Sequence, residues 1–340
     1  MPRLIDRLLA APNWRVEPFH LAPWMFETDS VLRRRQSAIR AALHQSTVIV
    51  IDNVADYYFQ HHTTSSGGMD GPAEFPQLAQ PFPYAFYEYR LTPSMYDVMF
   101  TEADLGGRRV IDTVGIQVQS ADAELCRRDL PALVGMMDEK RIGAPVQWVQ
   151  FLTLFARNSV DRDVYGPCSQ LMLAVGPDGL ATSHLHIRAW GIADPCFELI
   201  DEDERFSIES IGRLAFPAFL AASLLHCRNV TTREHVPPPK LSKAFHRRHG
   251  HPLVRFRTLT IEPMKAVVRR DGQTKDSGLN QALHLCRGHF KDYRNSGGLF
   301  GKHQGLFWWD MHARGTLDQG AVVKDYAIKL PESGGSLEHR

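Results

Sequence analysis

The 340-residue chain lacks a long uninterrupted apolar run. Its longest, Leu214 to Leu225, contains Pro217 and is about half of what a helix needs to cross a bilayer, so it reads as a core helix and no membrane partner is expected. Charge of one sign is missing too. Lys plus Arg number 39 and Asp plus Glu 38, a net charge of +1, so no global field draws the protein to nucleic acid or an anionic membrane. Any such partner must be held by a local patch. Cysteine is sparse: Cys126, Cys168, Cys196, Cys227 and Cys286 include no C-x-x-C pair, which argues against a disulfide framework or a zinc ribbon and fits a reducing, cytoplasmic setting. The first residues, MPRLIDRLLAAPNW, place Asp6 inside a short apolar run and offer no secretory h-region.

What is present is a globular composition, 44% hydrophobic, enough for a sizeable core. Residues 1 to about 60 have amphipathic helical spacing, with Ser30 as an N-cap for a helix through Ala42 that carries Arg33, Arg34 and Arg35, followed by a short strand at Thr47 to Ile51. The glycine-rich HHTTSSGGMDGP interrupts this; His61 and His62 in it lack the preorganised third ligand that zinc requires. From Pro81 the pattern turns to strands at 85–91, 108–119, 146–155 and 170–175, with a helix-like segment between the second and third. Gly176-Pro177-Asp178-Gly179 is a turn that returns the chain antiparallel as ATSHLHIRAWG. The acidic run at 198–204 reads as a solvated loop or helix start. A helix from Ile211 to about Arg228 is apolar on most sides and belongs between layers. A last strand is expected at 321–330.

These elements predict an α+β fold: an N-terminal helical segment, largely antiparallel sheets, one buried helix and a C-terminal sheet or partial barrel. Pro237-Pro238-Pro239 suggests a soft boundary, 1–235 against 236–330, across which one core could still be shared.

After that break comes the strongest electrostatic signal. Between Lys240 and Arg257 stand six cations, Lys240, Lys243, Arg247, Arg248, Arg255 and Arg257, with no acid. A short helix closed by Gly250 would place Lys240, Lys243 and Arg247 on one face and Leu241, Ala244 and Phe245 on another; the strand after it would set Val254, Phe256 and Leu259 against Arg255 and Arg257. The alternatives are a solvated basic face and a phosphate-binding surface.

Reactive residue types concentrate in Ala282 to Gly315, which reads as a hairpin holding His284, His289, His303 and His312. Strand alternation puts Asp310, His312 and Arg314 on one side of the second arm. In the first arm, His284 and Cys286 fall opposite Arg287 and His289, and a bulge at Gly288 would bring His289 to their face. His284, His289 and His312 around Arg287 could then supply general acid, general base and anion stabiliser for phosphodiester or acyl hydrolysis, or hold a metal through imidazole and thiolate. H-x-x-x-x-H is not the zincin motif, and the loop from Gly297 to Lys302 lacks the glycine spacing and the following Ser or Thr of a phosphate loop. His184 and His186 form an H-x-H on a strand, a common metal arrangement with zinc as the candidate cofactor, but the glutamate of a cupin site is replaced by Ile187, Arg188, Ala189 and Trp190.

The order Gly250-His251-Pro252-Leu253, then His284, Arg287, Gly288 and His289 as H-x-x-R-G-H, then a tryptophan strand ending near Arg314-Gly315, resembles a family of uncharacterised proteins encoded by phages, prophages and other mobile elements. Pro81-Phe82-Pro83, Phe86 and Glu88 are similar to that family's earlier strand. The resemblance implies a mobile-element setting and no catalytic assignment. The leading expectation is a protein that binds nucleic acid or another phosphorylated ligand through the six cations, with Arg287 and Lys302 adding contacts. The histidine-centred hydrolase is the alternative, and an interface built on Trp308 and Trp309 is a third.

Overall fold

In the computed structural model of the protein, residues 2–12, 14, 29–61, 75–95, 111–129, 146–158, 164–179, 181–187, 205–264, 266–267, 282–286, 288–310, 312–314 and 316–321 are described. The N-terminal helices are α1 (Leu4–Ala10) and α2 (Asp29–Gln45). Ser30 thus lies inside the second helix instead of capping it. The helix α2 turns Gln36, Ile39, Ala42 and Leu43 inward, a stripe of helical period.

Strand β1 (Thr47–Val50) leads through α3 (Asp52–His61) to β2 (Tyr84–Arg90), and the chain then meanders through β3 (Ile111–Asp122), a short α4 (Ala123–Asp129), β4 (Trp148–Asn158), β5 (Val164–Val175) and β6 (Ala181–Ile187). The long α5 (Arg205–Leu225) precedes β7 (Val230–His235), α6 (Pro239–His249) and β8 (Phe256–Ile261). Together these strands make one eight-stranded sheet in the order β6-β5-β4-β3-β2-β1-β8-β7.

The fold is α+β, but the sheet is mixed where a largely antiparallel one was expected: β1 runs parallel to both β2 and β8. The physical reason lies in β1 itself. Its Val48, Ile49 and Val50 are all buried, so neither face meets water, and a helical crossover through α3 can return the chain in the same direction. Ile49 joins Val54, Tyr58 and Phe59 of α3, Leu214 and Phe219 of α5, and Tyr87, Val114 and Leu152 of the sheet in the larger core. On the other face Val48, Phe86 and Phe155 pack with Leu4, Ile5 and Leu8 of α1 and Ile39 and Leu43 of α2. The proposed boundary near 236 falls within this sheet, because β7 pairs with β8 and β8 with β1.

Polar anchors hold α1 to the sheet and to α2. The buried Glu88 carboxylate accepts the Leu4 N–H at 2.9 Å and lies 3.7 Å from the Arg3 guanidinium. Arg40 of α2 donates to the carbonyls of Leu9 at 2.6 Å and Ala11 at 2.7 Å, satisfying the open end of α1. Asp6 then links α1 to the chain beyond α6 by accepting the Val254 N–H at 2.8 Å.

The C-terminal strands form two small sheets among the described residues, and no closed barrel. Strand β10 (His289–Asp292) pairs with β11 (Leu306–Trp309), and β9 (Ala282–Cys286) lies between β12 (His312–Arg314) and β13 (Thr316–Ala321). The strand expected at 321–330 lies, beyond Ala321, outside the described residues. One turn docks the hairpin to the main body. Buried Asn229, just after α5, donates to the carbonyls of Glu262 at 2.9 Å and Trp308 at 2.8 Å, while its own carbonyl accepts the Trp308 N–H at 3.0 Å.

Candidate functional site

The basic segment begins as the sequence suggests. Pro239 occupies the first turn of α6, where its missing N–H costs nothing, and Gly250 ends the helix in the left-handed region at φ 81°, its N–H bonded to the His246 carbonyl at 2.8 Å. No residue of this helix is buried. Its half-buried stripe is Ser242, Phe245 and His249, which meets the returning segment: Leu253 N–H donates to Ser242 Oγ at 3.2 Å, and the Phe245 ring lies 5.3 Å from that of His251. Of the expected packed face, Leu241, Ala244 and Phe245, only Phe245 packs. Leu241 is 58% exposed beside Lys240, Lys243, Ala244, Arg247 and Arg248, all of them exposed.

The six cations therefore divide. Four decorate the free side of α6. Arg255 is exposed but stands 4.0 Å from Glu234, and the Arg257 guanidinium lies 5.6 Å over the Phe82 ring. Phe256 and Leu259 sit on opposite faces of β8, each packed against a different core, because the strand is covered on both sides. Behind the patch, His44 lies with its ring 6.2 Å from that of His251; burial, then His251 and Arg40, hold its pKa below the ordinary histidine range. Lys302 is exposed in the loop closing β10 and β11, where Gly298 and Gly301 take left-handed angles of 80° and 70°. Arg287 lies outside the described residues.

The histidine stretch is divided between two small sheets. His289 pairs with Trp309 and Cys286 pairs with His312. The two pairs belong to separate small sheets, and residue 287, beside the Gly288 bulge expected from the sequence, lies outside the described residues. By register, His284, Cys286, His312 and Arg314 take positions on one face of the β9–β12 ladder, Arg314 directly opposite His284. His289 lies in the other sheet, the β10–β11 pair. It is exposed, stacked at 6.5 Å on Trp309, whose ring also receives the Lys291 ammonium at 4.5 Å. Arg287, around which His284, His289 and His312 were expected to gather, lies outside the described residues, as do the side chains of His284 and His312.

Gly288 has another reason to be glycine. A Cβ there would collide with the Tyr57 hydroxyl and come within 2.6 Å of the Trp308 ring. Tyr57 donates to the Gly288 carbonyl at 3.4 Å, and its ring makes an edge contact with Trp308 at 5.4 Å. Trp308 in turn donates its indole N–H to Asp310 at 2.8 Å. Nothing in the hairpin's own sequence pointed to Tyr57 on α3; the aromatic pair Tyr57-Tyr58 was the only available signal.

His184 and His186 share one face of β6, opposite Leu173 and Leu171 of β5. That neighbouring strand offers no third ligand at those positions. Among residues with described side chains, no three metal-ligating groups converge. No helix among the described residues is long and apolar enough to cross a membrane. Comparison of the chain with protein-family models, with curated proteins and with solved structures returned no match.

Proposed function

We propose that this is a mobile-element protein that binds nucleic acid, or a ligand of the same polyphosphate character, through Lys240, Lys243, Arg247 and Arg248 of α6, flanked by Arg255 and Arg257. The observation that carries the reading is a helix with no buried residue whose free side presents four cations and no acid. A solvated face would usually interleave both signs. At about 1.5 Å per residue, Lys240 and Arg248 are roughly 12 Å apart along the axis, more than one phosphate group can bridge and suited to successive phosphates of a strand. Lys302 lies on the separate hairpin loop and is retained as an outlying contact. Its mobile-element setting rests on the H-x-x-R-G-H resemblance.

Filter binding to DNA and RNA at low and high salt tests this. Retention at low salt that falls steeply as salt rises is expected, and replacing the four α6 cations with Gln should reduce the salt slope by about three to four. No retention under either condition refutes the reading.

A further inference from the structure

We propose that β7 pairs antiparallel with the β7 of a second copy of this chain, joining two eight-stranded sheets across a two-fold axis at Thr232. Strand β7 closes one end of the sheet order, with β8 on its inner side. Thr231, Thr232, Arg233 and Glu234 are all exposed, so among the described residues nothing covers either face of the strand or its outer edge. The register tells which backbone groups face outward. Glu262, one residue past β8, donates its N–H to the Asn229 carbonyl at 2.8 Å, which makes 229 and 262 a hydrogen-bonded pair. Pairs alternate from there: 231, 233 and 235 turn their backbone groups to β8, while Thr232 and Glu234 turn theirs outward. Open N–H and C=O groups on a sheet edge are a template for another strand.

The strand fits its own copy better than a peptide. Its sequence, VTTREH, offers no row of apolar pockets to select a peptide's side chains. Antiparallel strands related by a two-fold axis set one residue opposite itself and pair the rest at equal distances on either side. With Thr232 on the axis, its N–H and C=O meet those of its copy, Glu234 N–H meets the Val230 carbonyl, and Thr231 stands opposite Arg233. No like charges then oppose each other. An axis at Arg233 or Glu234 would set like charges face to face, and one at Thr231 would run Glu234 onto the turn at Arg228, outside the strand. Val236, 60% exposed just past β7, comes opposite Arg228 of the copy and gains cover. The two α6 helices lie at opposite ends of the joined strands, their roots roughly 26 Å apart, so salt screens their like charges from one another. Pairing at β7 requires no ligand on α6.

Light scattering on the full-length protein as it elutes from a sizing column, over a range of concentrations, tests the pairing. A monomer to dimer equilibrium with a half-point on the order of 10–100 μM is expected, since one strand pair buries less than about 1,200 Å². T232P removes the outward N–H at a sheet edge, where proline is tolerated. It should be monomeric at concentrations where the wild-type protein is dimeric, with little change in melting temperature. Wild-type protein that stays monomeric up to about 500 μM overturns the proposal, and so does a T232P protein that dimerises as the wild type does. Because T232P could fail to fold, amide exchange of the wild-type protein gives a second readout. Thr232 and Glu234 should exchange about tenfold more slowly in concentrated than in dilute protein, and equal rates overturn β7 as the seam.

Discussion

Glu88 shows how one side chain can set a pH dependence for the whole protein. Burial, opposed by Arg3 and by the N–H groups of Leu4 and Ile5, raises its pKa to about 7. An acid whose folded pKa lies above its unfolded value contributes stability that is complete below the unfolded pKa and is lost as pH rises through the folded one. Wild-type protein should therefore lose roughly 3 kcal/mol between pH 4.5 and pH 8 from this group, and E88Q should flatten that slope; thermal denaturation of both proteins across the range checks it. At Gly288 the argument is steric. G288A should destabilise by about 1–3 kcal/mol because the methyl group meets Tyr57 and Trp308, and Y57F should recover part of the loss by removing the hydroxyl. Denaturant unfolding of the two single variants and the double variant measures that coupling.

At the scale of elements, α6 separates binding from stability. Since none of its residues is buried, replacing its four cations should change the melting temperature little while weakening retention and lowering its salt slope. G250A is a sharper test of the helix end. A Cβ there would find open space, so the cost should be only that of the left-handed backbone, about 1 kcal/mol. A much larger loss would show that α6 supports the fold in a way its exposure does not suggest. The β10–β11 pair is the contrary case: it is fastened by Asn229, whose side chain satisfies both backbone polar groups of Trp308.

For the whole molecule, that fastening joins the histidine hairpin to the main body. N229A would leave buried groups of Glu262 and Trp308 unpaired, at about 2–4 kcal/mol. Hydrogen exchange should quicken first in residues 289–310, before the eight-stranded sheet. Uniform acceleration across the sheet would instead mean that hairpin and sheet unfold as one unit.

Much of the architecture was legible in the residues. The strand segments, the Gly176–Gly179 turn, the helix spanning Pro217 and the Gly250 stop are local events, fixed by side-chain alternation, by turn-forming residues and by apolar periodicity, and each appears near its expected position. Strand direction was not legible. Val48, Ile49 and Val50 are equally suited to parallel or antiparallel pairing, and only the placement of β2 and β8 on either side of β1 decides it. The exposure of Leu241 was likewise decided by what α6 packs against.

The same division holds for the site. The sequence alone determined that four cations would lie close together on one short helix, because four residues and one helical turn are nearly the same length. It also determined that His284 and Cys286 would share a strand face. Only the tertiary structure set Cys286 opposite His312 and Arg314 opposite His284, stacked His289 on Trp309, and filled the space above Gly288 with Tyr57 from 231 residues away. Cross-strand register and contacts between distant elements depend on how the layers close over one another, which no local pattern encodes.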